Sequence, residues 1–303
     1  MKGGVFPHFF WGGDDYGHPS EVVMRRVCLC AVVLVLVAAV PGAAWERDFA
    51  WGRRGKMALR PNTTAEVFAW RTELFGDVEV KGMALGLESE ASFAAKTRLG
   101  LTLTHGLSEA NNLVLTYNSF DHTGRIHKAV TFDRRNYQPG ANIQIQNNWF
   151  DLAWSHNFRF WENAAGPARR ERRGGFLDGL LGIKVCKADV DVAGLEPLTN
   201  ARARGTWSGS FPIPYIGVGG GSQLSPNLWV DGHARFIATT IGGGSLRSSD
   251  IDLNAALRLN PGGKDAQWFG VLGYRFFRVD GASGGDDANL GYRGPMVGLL
   301  GRF

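Results

Sequence analysis

The feature that most constrains the fold of this chain is an alternation of apolar and polar side chains with a period of two. The clearest instance runs over residues 251–260, where every odd-numbered position is apolar and nearly every even-numbered position is polar. Successive side chains of a β-strand point to opposite faces. The alternation therefore predicts strands with one face in an apolar medium and the other in a polar one.

Ten such strands are predicted, each close to the 9–11 residues that a tilted strand uses to cross a membrane. Eight or twelve strands also fit, because the pattern in residues 76–94 is ambiguous. The 42 glycines suit a chain of many short strands rather than a helical bundle. The predicted segments are 66–76, 95–105, 111–121, 143–157, 176–190, 209–222, 228–240, 250–260, 267–278 and 294–303.

The predicted connections alternate between short and long. Turn-forming residues dominate the short links at 106–110, 223–227 and 261–266. The longer links are 77–94, 122–142, 191–208, 241–249 and 279–293. Outer-membrane barrels have short periplasmic turns and long outer loops, and only the link 158–175 departs from that scheme. Pro212 and Pro214 lack the N–H that a sheet needs, so pairing in the sixth segment is expected to begin near Tyr215.

The N-terminal region has the three parts of a secretory signal peptide. Two arginines at 25 and 26 precede an apolar run from Val27 to Val40, and small residues follow as far as Ala44. The expected division is an over-extended start (1–23), the signal peptide (24–44), a periplasmic segment (45–65) and a transmembrane barrel (66–303). A retained membrane anchor is the alternative for the apolar run.

The remaining composition narrows the class of protein. Two of the three cysteines fall inside the predicted signal peptide, so neither disulfides nor a cysteine-rich metal site is expected. A net charge of +5 is too small to indicate nucleic-acid binding. No cofactor and no metal are expected. No apolar run after Ala44 reaches 18 residues, so no transmembrane helix is predicted.

With these features, and with a final strand that ends in Phe303, the chain resembles the small bacterial outer-membrane barrels, broadly the OmpA- and OmpW-like group. The resemblance implies a location in the bacterial outer membrane, among lipid and lipopolysaccharide. It also implies that Phe303 is read by the barrel-insertion machinery. The alternative is a soluble secreted barrel or sandwich with its apolar face turned inward.

The polar face of the strands predicts a polar, largely filled lumen whose charges pair with one another. Such a barrel acts as a structural element or as a narrow channel for a small solute, since about eight strands leave an interior that side chains nearly fill. The residues expected to face the lumen are Arg98, Asp151, Asp178, Lys184, Asp231, His233, Arg235, Asp252, Asn254, Arg258, Arg275 and Arg302.

The alternative functions are a hydrolase and a barrel that binds or adheres through its loops. Asp231 and His233 share one strand face, and a carboxylate beside a histidine can orient it as a general base. Outer-membrane proteases of the omptin type use an Asp-X-His pair together with a second acidic pair. Here the pair is expected near the periplasmic side, and no second acidic pair is evident. Catalysis is therefore not the main expectation.

Overall fold

The computed structural model describes residues 63–108, 110–163, 173–225, 227–241, 244–260, 267–283 and 286–303. The predicted over-extended start, the signal peptide and residues 45–62 lie outside this part of the chain. The first strand begins at Thr63, within the segment predicted as periplasmic. No helix among the described residues is long and apolar enough to span a membrane.

The described residues form β-strands joined by turns and short irregular links. The strands are β1 (Thr63–Val80), β2 (Met83–Gly86), β3 (Ala91–Phe93), β4 (Lys96–Gly106), β5 (Asn111–Ile126), β6 (Val130–Phe132), β7 (Arg135–Tyr137), β8 (Asn142–Asn163), β9 (Arg173–Leu195), β10 (Arg202–Ser225), β11 (Leu228–Ile241), β12 (Gly244–Arg258), β13 (Gln267–Ser283) and β14 (Asp286–Arg302).

Ten of these strands close into a ring. Its order is β1, β4, β5, β8, β9, β10, β11, β12, β13 and β14, and β14 pairs with β1. The closing ladder is antiparallel and runs from Thr64 opposite Arg302 to Glu79 opposite Asp287. Closure removes the unpaired edges that an open sheet would expose. The prediction of a closed antiparallel barrel of about ten strands is confirmed.

The barrel has two distinct ends. Thr63 and Phe303 meet at one of them, where their backbones exchange two hydrogen bonds. We call this the inner end. The ladder between β4 and β5 ends there with Gly106 opposite Asn112, and the ladder between β10 and β11 ends there with Ser225 opposite Leu228. The long connections meet at the opposite, outer end. Strands β2, β3, β6 and β7 form in the connections 81–95 and 127–141, which were predicted as parts of loops.

The connections 81–95 and 127–141, which we call the cap, are held together by charged side chains. The ammonium of Lys128 lies 2.6 Å from Oε1 of Glu90, and the backbone N–H of Gly86 donates to Oε2 of Glu90 at 2.7 Å. The bond from Lys128, followed by the one from Gly86, holds the pKa of Glu90 below its usual value. Glu90, between β2 and β3, thus connects the first segment of the cap to the second, in which Lys128 precedes β6.

Several ring strands are much longer than predicted. The predicted link 158–175 is wrong at both ends: β8 runs to Asn163, β9 begins at Arg173, and these two residues are partners. Residues 164–172, which hold most of the arginine-rich run, lie outside the described residues. Strand β9 has 23 residues, about twice the length needed to cross a membrane.

The expectation that pairing begins near Tyr215 is also wrong. Strand β10 pairs with β9 from Arg202 onward, with Pro212 and Pro214 inside that ladder. The ladder between β10 and β11 starts only at Ile216, opposite Phe236. Proline is tolerated where a strand has an unpaired edge, and among the described residues this stretch of β10 has a ladder partner on one side only.

The core of the molecule lies inside the outer half of the barrel. Trp149 on β8 packs against Phe277 on β13, with ring centroids 4.0 Å apart, and against Trp70 on β1, at 6.2 Å. Since these strands are not neighbours in the ring, the contacts cross the interior. The largest fully buried side chains are Trp70, Trp149, Tyr137, Tyr292, Phe120, Phe132 and Phe277.

The predicted polar interior is therefore found only in the inner half of the barrel. Above it, the interior is a continuous apolar core that extends to buried residues of the cap, such as Met83, Ile126 and Phe132. The physical reason is visible on the outer face of the same region, where polar residues such as Glu79 and Arg125 are exposed. A sheet that is polar on its outer face and apolar inside has the arrangement of a soluble β-protein.

Candidate functional site

A layer of charged side chains fills the barrel interior beneath the aromatic core, and Asp250 on β12 lies at its centre. Asp250 is 1% exposed. Its carboxylate accepts two hydrogen bonds from Arg275, at 2.8 and 2.6 Å, and one from the ammonium of Lys184, at 2.6 Å. Because β9 and β12 are not neighbours in the ring, the bond from Lys184 crosses the interior.

The adjoining carboxylate is Asp252, which holds His233. Nη1 of Arg235 donates to one Asp252 oxygen at 2.7 Å. The other oxygen lies 3.0 Å from Nδ1 of His233 and accepts from the amide of Asn254 at 3.1 Å. An ionised carboxylate can only accept hydrogen bonds. Nδ1 of His233 therefore carries the proton, and Nε2 is left without one when the ring is neutral.

Three further carboxylates reach the same region through neutral partners. Asp151 accepts from the hydroxyl of Tyr215 at 2.7 Å, and Asp178 accepts from the hydroxyl of Ser155 at 3.1 Å. Asp231 accepts from the amide of Asn254 at 3.1 Å. Asp231 is thus not the carboxylate that orients His233; that residue is Asp252, on the neighbouring strand.

The charged layer and the aromatic core are in direct contact. The ammonium of Lys184 lies 4.3 Å from the ring centre of Phe277 and 4.9 Å from that of Trp149. The guanidinium of Arg275 lies 5.4 Å from the ring centre of Trp70. Such distances allow cation–π attraction. The barrel interior is filled from wall to wall at this level.

Glycines on β10 allow these long side chains to meet. Gly217, Gly219 and Gly221 are ladder partners of Arg235, His233 and Asp231. A Cβ atom at Gly219 would lie 2.2 Å from Cδ2 of His233 and 2.3 Å from Oδ1 of Asp178. The side chains of β9 and β11 thus occupy the space that a larger residue on β10 would need.

Three of the twelve residues predicted to face the lumen lie apart from this layer. Arg98 is paired with Asp121 on β5 at 3.1 Å, and both are about one-third exposed. Arg258 and Arg302 are the last residues of β12 and β14, near the inner mouth of the barrel. The guanidinium of Arg302 lies 6.0 Å from the ring centre of Phe269.

The other nine predicted residues are brought together at the charged layer or on its inner side. They are Asp151, Asp178, Lys184, Asp231, His233, Arg235, Asp252, Asn254 and Arg275. Phe303 lies at the inner end, with its ring centre 5.8 Å from that of Trp268.

Three residues that matter here were missed from the sequence. Asp250 continues the even-numbered polar series of Asp252 and was the first residue of a predicted strand, so the alternation itself could have found it. Glu66, a half-buried carboxylate on β1 close to Asp231, similarly begins the first predicted strand. Tyr215 gave no signal, because its role depends on reaching Asp151 across the neighbouring β9.

Comparisons with known proteins identify the fold. No protein-family model and no characterised sequence matches the chain. Among solved structures, it is similar to the outer membrane protease OmpT from Escherichia coli, with a TM-score of 0.50 and 9% identity over 82% of this chain and 99% of that one.

Two further structures are similar at lower scores. They are the attachment invasion locus protein Ail of Yersinia pestis (TM-score 0.33, 12% identity, 80% of this chain and 99% of that one) and OprG from Pseudomonas aeruginosa (0.31, 12%, 80% and 95%). With TM-scores below 0.5, these two add no weight. At 9% identity, the likeness to OmpT concerns the fold alone. The chain has the fold of the small outer-membrane β-barrels.

Proposed function

We propose that this protein is a bacterial outer-membrane barrel that crosses the membrane with the inner half of its wall and projects a solid, closed outer half beyond it. The barrel serves as a structural element that presents its outer half and cap, and it does not conduct solutes. The observation that carries the proposal is an exchange of polarity between the two faces of the long strands.

Strand β9 shows this exchange most clearly. Its outward-facing residues are first apolar and exposed, from Leu181 to Val185, and are then charged, from Lys187 to Asp191. Its inward-facing residues change in the opposite sense, from Lys184 to the buried, apolar run that ends at Val192. Both changes occur at one level of the strand. They are explained if the first part of the wall has lipid outside and polar groups inside, and the second part has water outside and an apolar core inside.

The other strands support the same boundary. The outward-facing apolar residues that are more than half exposed include Val67, Leu99, Ile216, Leu253, Leu272 and Val297. Exposed aromatic residues lie toward the inner end (Trp154, Phe158, Trp268 and Phe303) and farther along β11 and β13 (Phe236 and Tyr274). Apolar bands edged by aromatic residues are typical of barrels in a lipid bilayer. A soluble protein would expose such a band to water at a large cost.

The filled interior favours a structural barrel over a channel. Lys184, Asp250 and Arg275 are each at most 6% exposed, and the aromatic residues above them are fully buried. A continuous water path would have to pass both layers. The protease activity named for OmpT is not part of this proposal, because Asp231 does not orient His233 and both residues lie near the inner end.

Planar-bilayer conductance tests the proposal. Residues 45–303 are refolded, closure is shown by the faster migration of the unboiled barrel on a gel, and a porin serves as the positive control. We expect the inserted barrel to be silent. A double variant, Trp149→Ala with Lys184→Ala, should show discrete current steps because it removes side chains from both layers. Discrete steps from the unmodified barrel would refute the proposal.

The signal peptide, the role of Phe303 in insertion and the contacts with lipopolysaccharide remain predictions within this proposal. Each of them follows from an outer-membrane location and is independent of the charged layer.

A further inference from the structure

On the inner side of the charged layer, the side chains of His233 and Asp178 converge above Gly219. Nε2 of His233 lies 3.8 Å from Oδ2 of Asp178, too far for a hydrogen bond. Two ligands that each lie about 2 Å from a shared metal ion are separated by at most about 4 Å. The separation therefore fits two ligands of one ion after only a small approach.

The histidine is already oriented for ligation. Its Nδ1 is held by Asp252, which is fixed in turn by Arg235 and Asn254. A carboxylate that binds one ring nitrogen of a histidine while the other binds metal is a recurrent arrangement in metalloproteins. The His233 side chain is 23% exposed, so Nε2 can be reached from the interior.

Asp178 provides independent evidence for a missing ligand. It is only 5% exposed, and although one of its oxygens accepts from Ser155, Oδ1 is buried with no hydrogen-bond partner. A buried carboxylate oxygen without a partner is costly. Oδ1 and the His233 ring both border the space above Gly219, so an ion in that space would contact this oxygen, while Oδ2 is the oxygen 3.8 Å from Nε2.

The charges of the region leave a place for a cation. In the charged layer, three cations (Lys184, Arg235 and Arg275) face three carboxylates (Asp151, Asp250 and Asp252). On its inner side are three more carboxylates, Glu66, Asp178 and Asp231, and nearer the mouth two arginines, Arg258 and Arg302. Among the residues that the structure describes, none of these three carboxylates forms an ion pair with a lysine or arginine. A carboxylate oxygen of Asp231 lies within 4.8 Å of a ring nitrogen of His233, which places this carboxylate next to the histidine.

We propose that Nε2 of His233 and the carboxylate of Asp178 bind one divalent transition-metal ion of the Zn²⁺ type, that the neighbouring Asp231 supplies a second carboxylate by rotation of its side chain, and that the ion enters from the inner mouth of the barrel. One imidazole with two carboxylates suits Zn²⁺ and its neighbours, whereas Ca²⁺ and Mg²⁺ prefer oxygen ligands alone. Two carboxylates neutralise the charge of the ion. The site departs from the sequence-based expectation that no metal is bound.

The first test uses the unmodified, folded barrel without a histidine tag. After treatment with a chelator, Zn²⁺ is titrated by calorimetry, and the loaded protein is examined by X-ray absorption at the zinc edge. We expect one saturable equivalent with a single imidazole and otherwise oxygen ligands. An absence of saturable binding, a coordination shell with sulfur, or one with several imidazoles would each overturn the proposal.

Variants then locate the site. His233→Gln, Asp178→Asn and Gly219→Ala should each weaken Zn²⁺ binding at least about 10-fold, the last by pushing two intact ligands apart. His156→Gln is the matched control, because His156 lies on the same barrel but bonds Asn111 and is remote from the site. If the control and the three variants bind Zn²⁺ with equal affinity, the proposal is wrong, and His233 only bridges the carboxylates of Asp252 and Asp178. Faster gel migration of each unboiled variant confirms that it has folded.

Discussion

Replacing Asp250 with asparagine tests whether the charged layer holds the barrel together. The substitution keeps the size of the side chain but removes the charge that two hydrogen-bonded cations and the nearby Arg235 share. Asp250 accepts three charge-assisted hydrogen bonds, from Arg275 and Lys184. Oδ2 accepts two of these bonds and Oδ1 accepts one, so an asparagine, which retains one acceptor oxygen, loses one or two of them, each worth roughly 1.5–3 kcal/mol.

Breaking a buried ion pair by removing one partner costs about 3–5 kcal/mol, which agrees with that sum. We therefore expect Asp250→Asn to lower the free energy of unfolding by about 3–5 kcal/mol. The assay is equilibrium unfolding by guanidinium in phospholipid vesicles, followed by tryptophan fluorescence.

Asp280→Asn is the matched control. Asp280 also pairs with an arginine, Arg278 at 3.2 Å, but both side chains are about 40% exposed. An exposed pair of this kind contributes about 0–1 kcal/mol. If the two variants lose the same free energy of unfolding, the cations of the layer are stabilised by water rather than by Asp250, and the reasoning is refuted.

Three further predictions address the boundary, the cap and the terminus. A fluorophore attached at Val185→Cys should be quenched by lipid-borne quenchers, whereas one at Asp189→Cys should not; equal quenching would contradict the proposed boundary. Lys128→Met should raise the pKa of Glu90 toward its usual value, as measured by carbon NMR, because the lowered pKa depends mainly on that ammonium. In the unmodified protein, this contact stabilises the cap at neutral pH and is lost as the pH falls through the lowered pKa of Glu90, so an unchanged pKa in the variant would refute the assignment. Phe303→Ala should slow insertion by the barrel-insertion machinery reconstituted in vesicles while leaving the folded barrel closed; unchanged kinetics would exclude an insertion signal at this residue.

Much of the wall could be predicted from local pattern. The alternation over 251–260 is a property of neighbouring residues in the chain, and a strand must turn successive side chains to opposite faces whatever its partners are. The same property placed Asp252 and Asn254 on the inner face. It also carried the information for Asp250, which was missed only because the residue lies at the start of the strand.

Pairing across the ring could not be predicted in this way. The bond between Lys184 and Asp250 joins strands separated by two others in the ring. No local periodicity specifies which inward-facing charges meet. The pairing of Arg98 with Asp121, outside the layer, illustrates the same limit. An odd or even position in a strand predicts which face a side chain is on, but not which side chain it contacts.

The sequence by itself determined that the chain forms a closed antiparallel barrel, because two-residue periodicity and strand length are local properties. Only the tertiary structure decided where the interior changes from charged to apolar. That change depends on what lies outside the wall at each level. The length of β9 beyond Val190, where the predicted segment ended, became visible only when its ladders with β8 and β10 were in place. It also decided that His233 is held by Asp252 rather than by Asp231, since hydrogen bonding across adjacent strands depends on register.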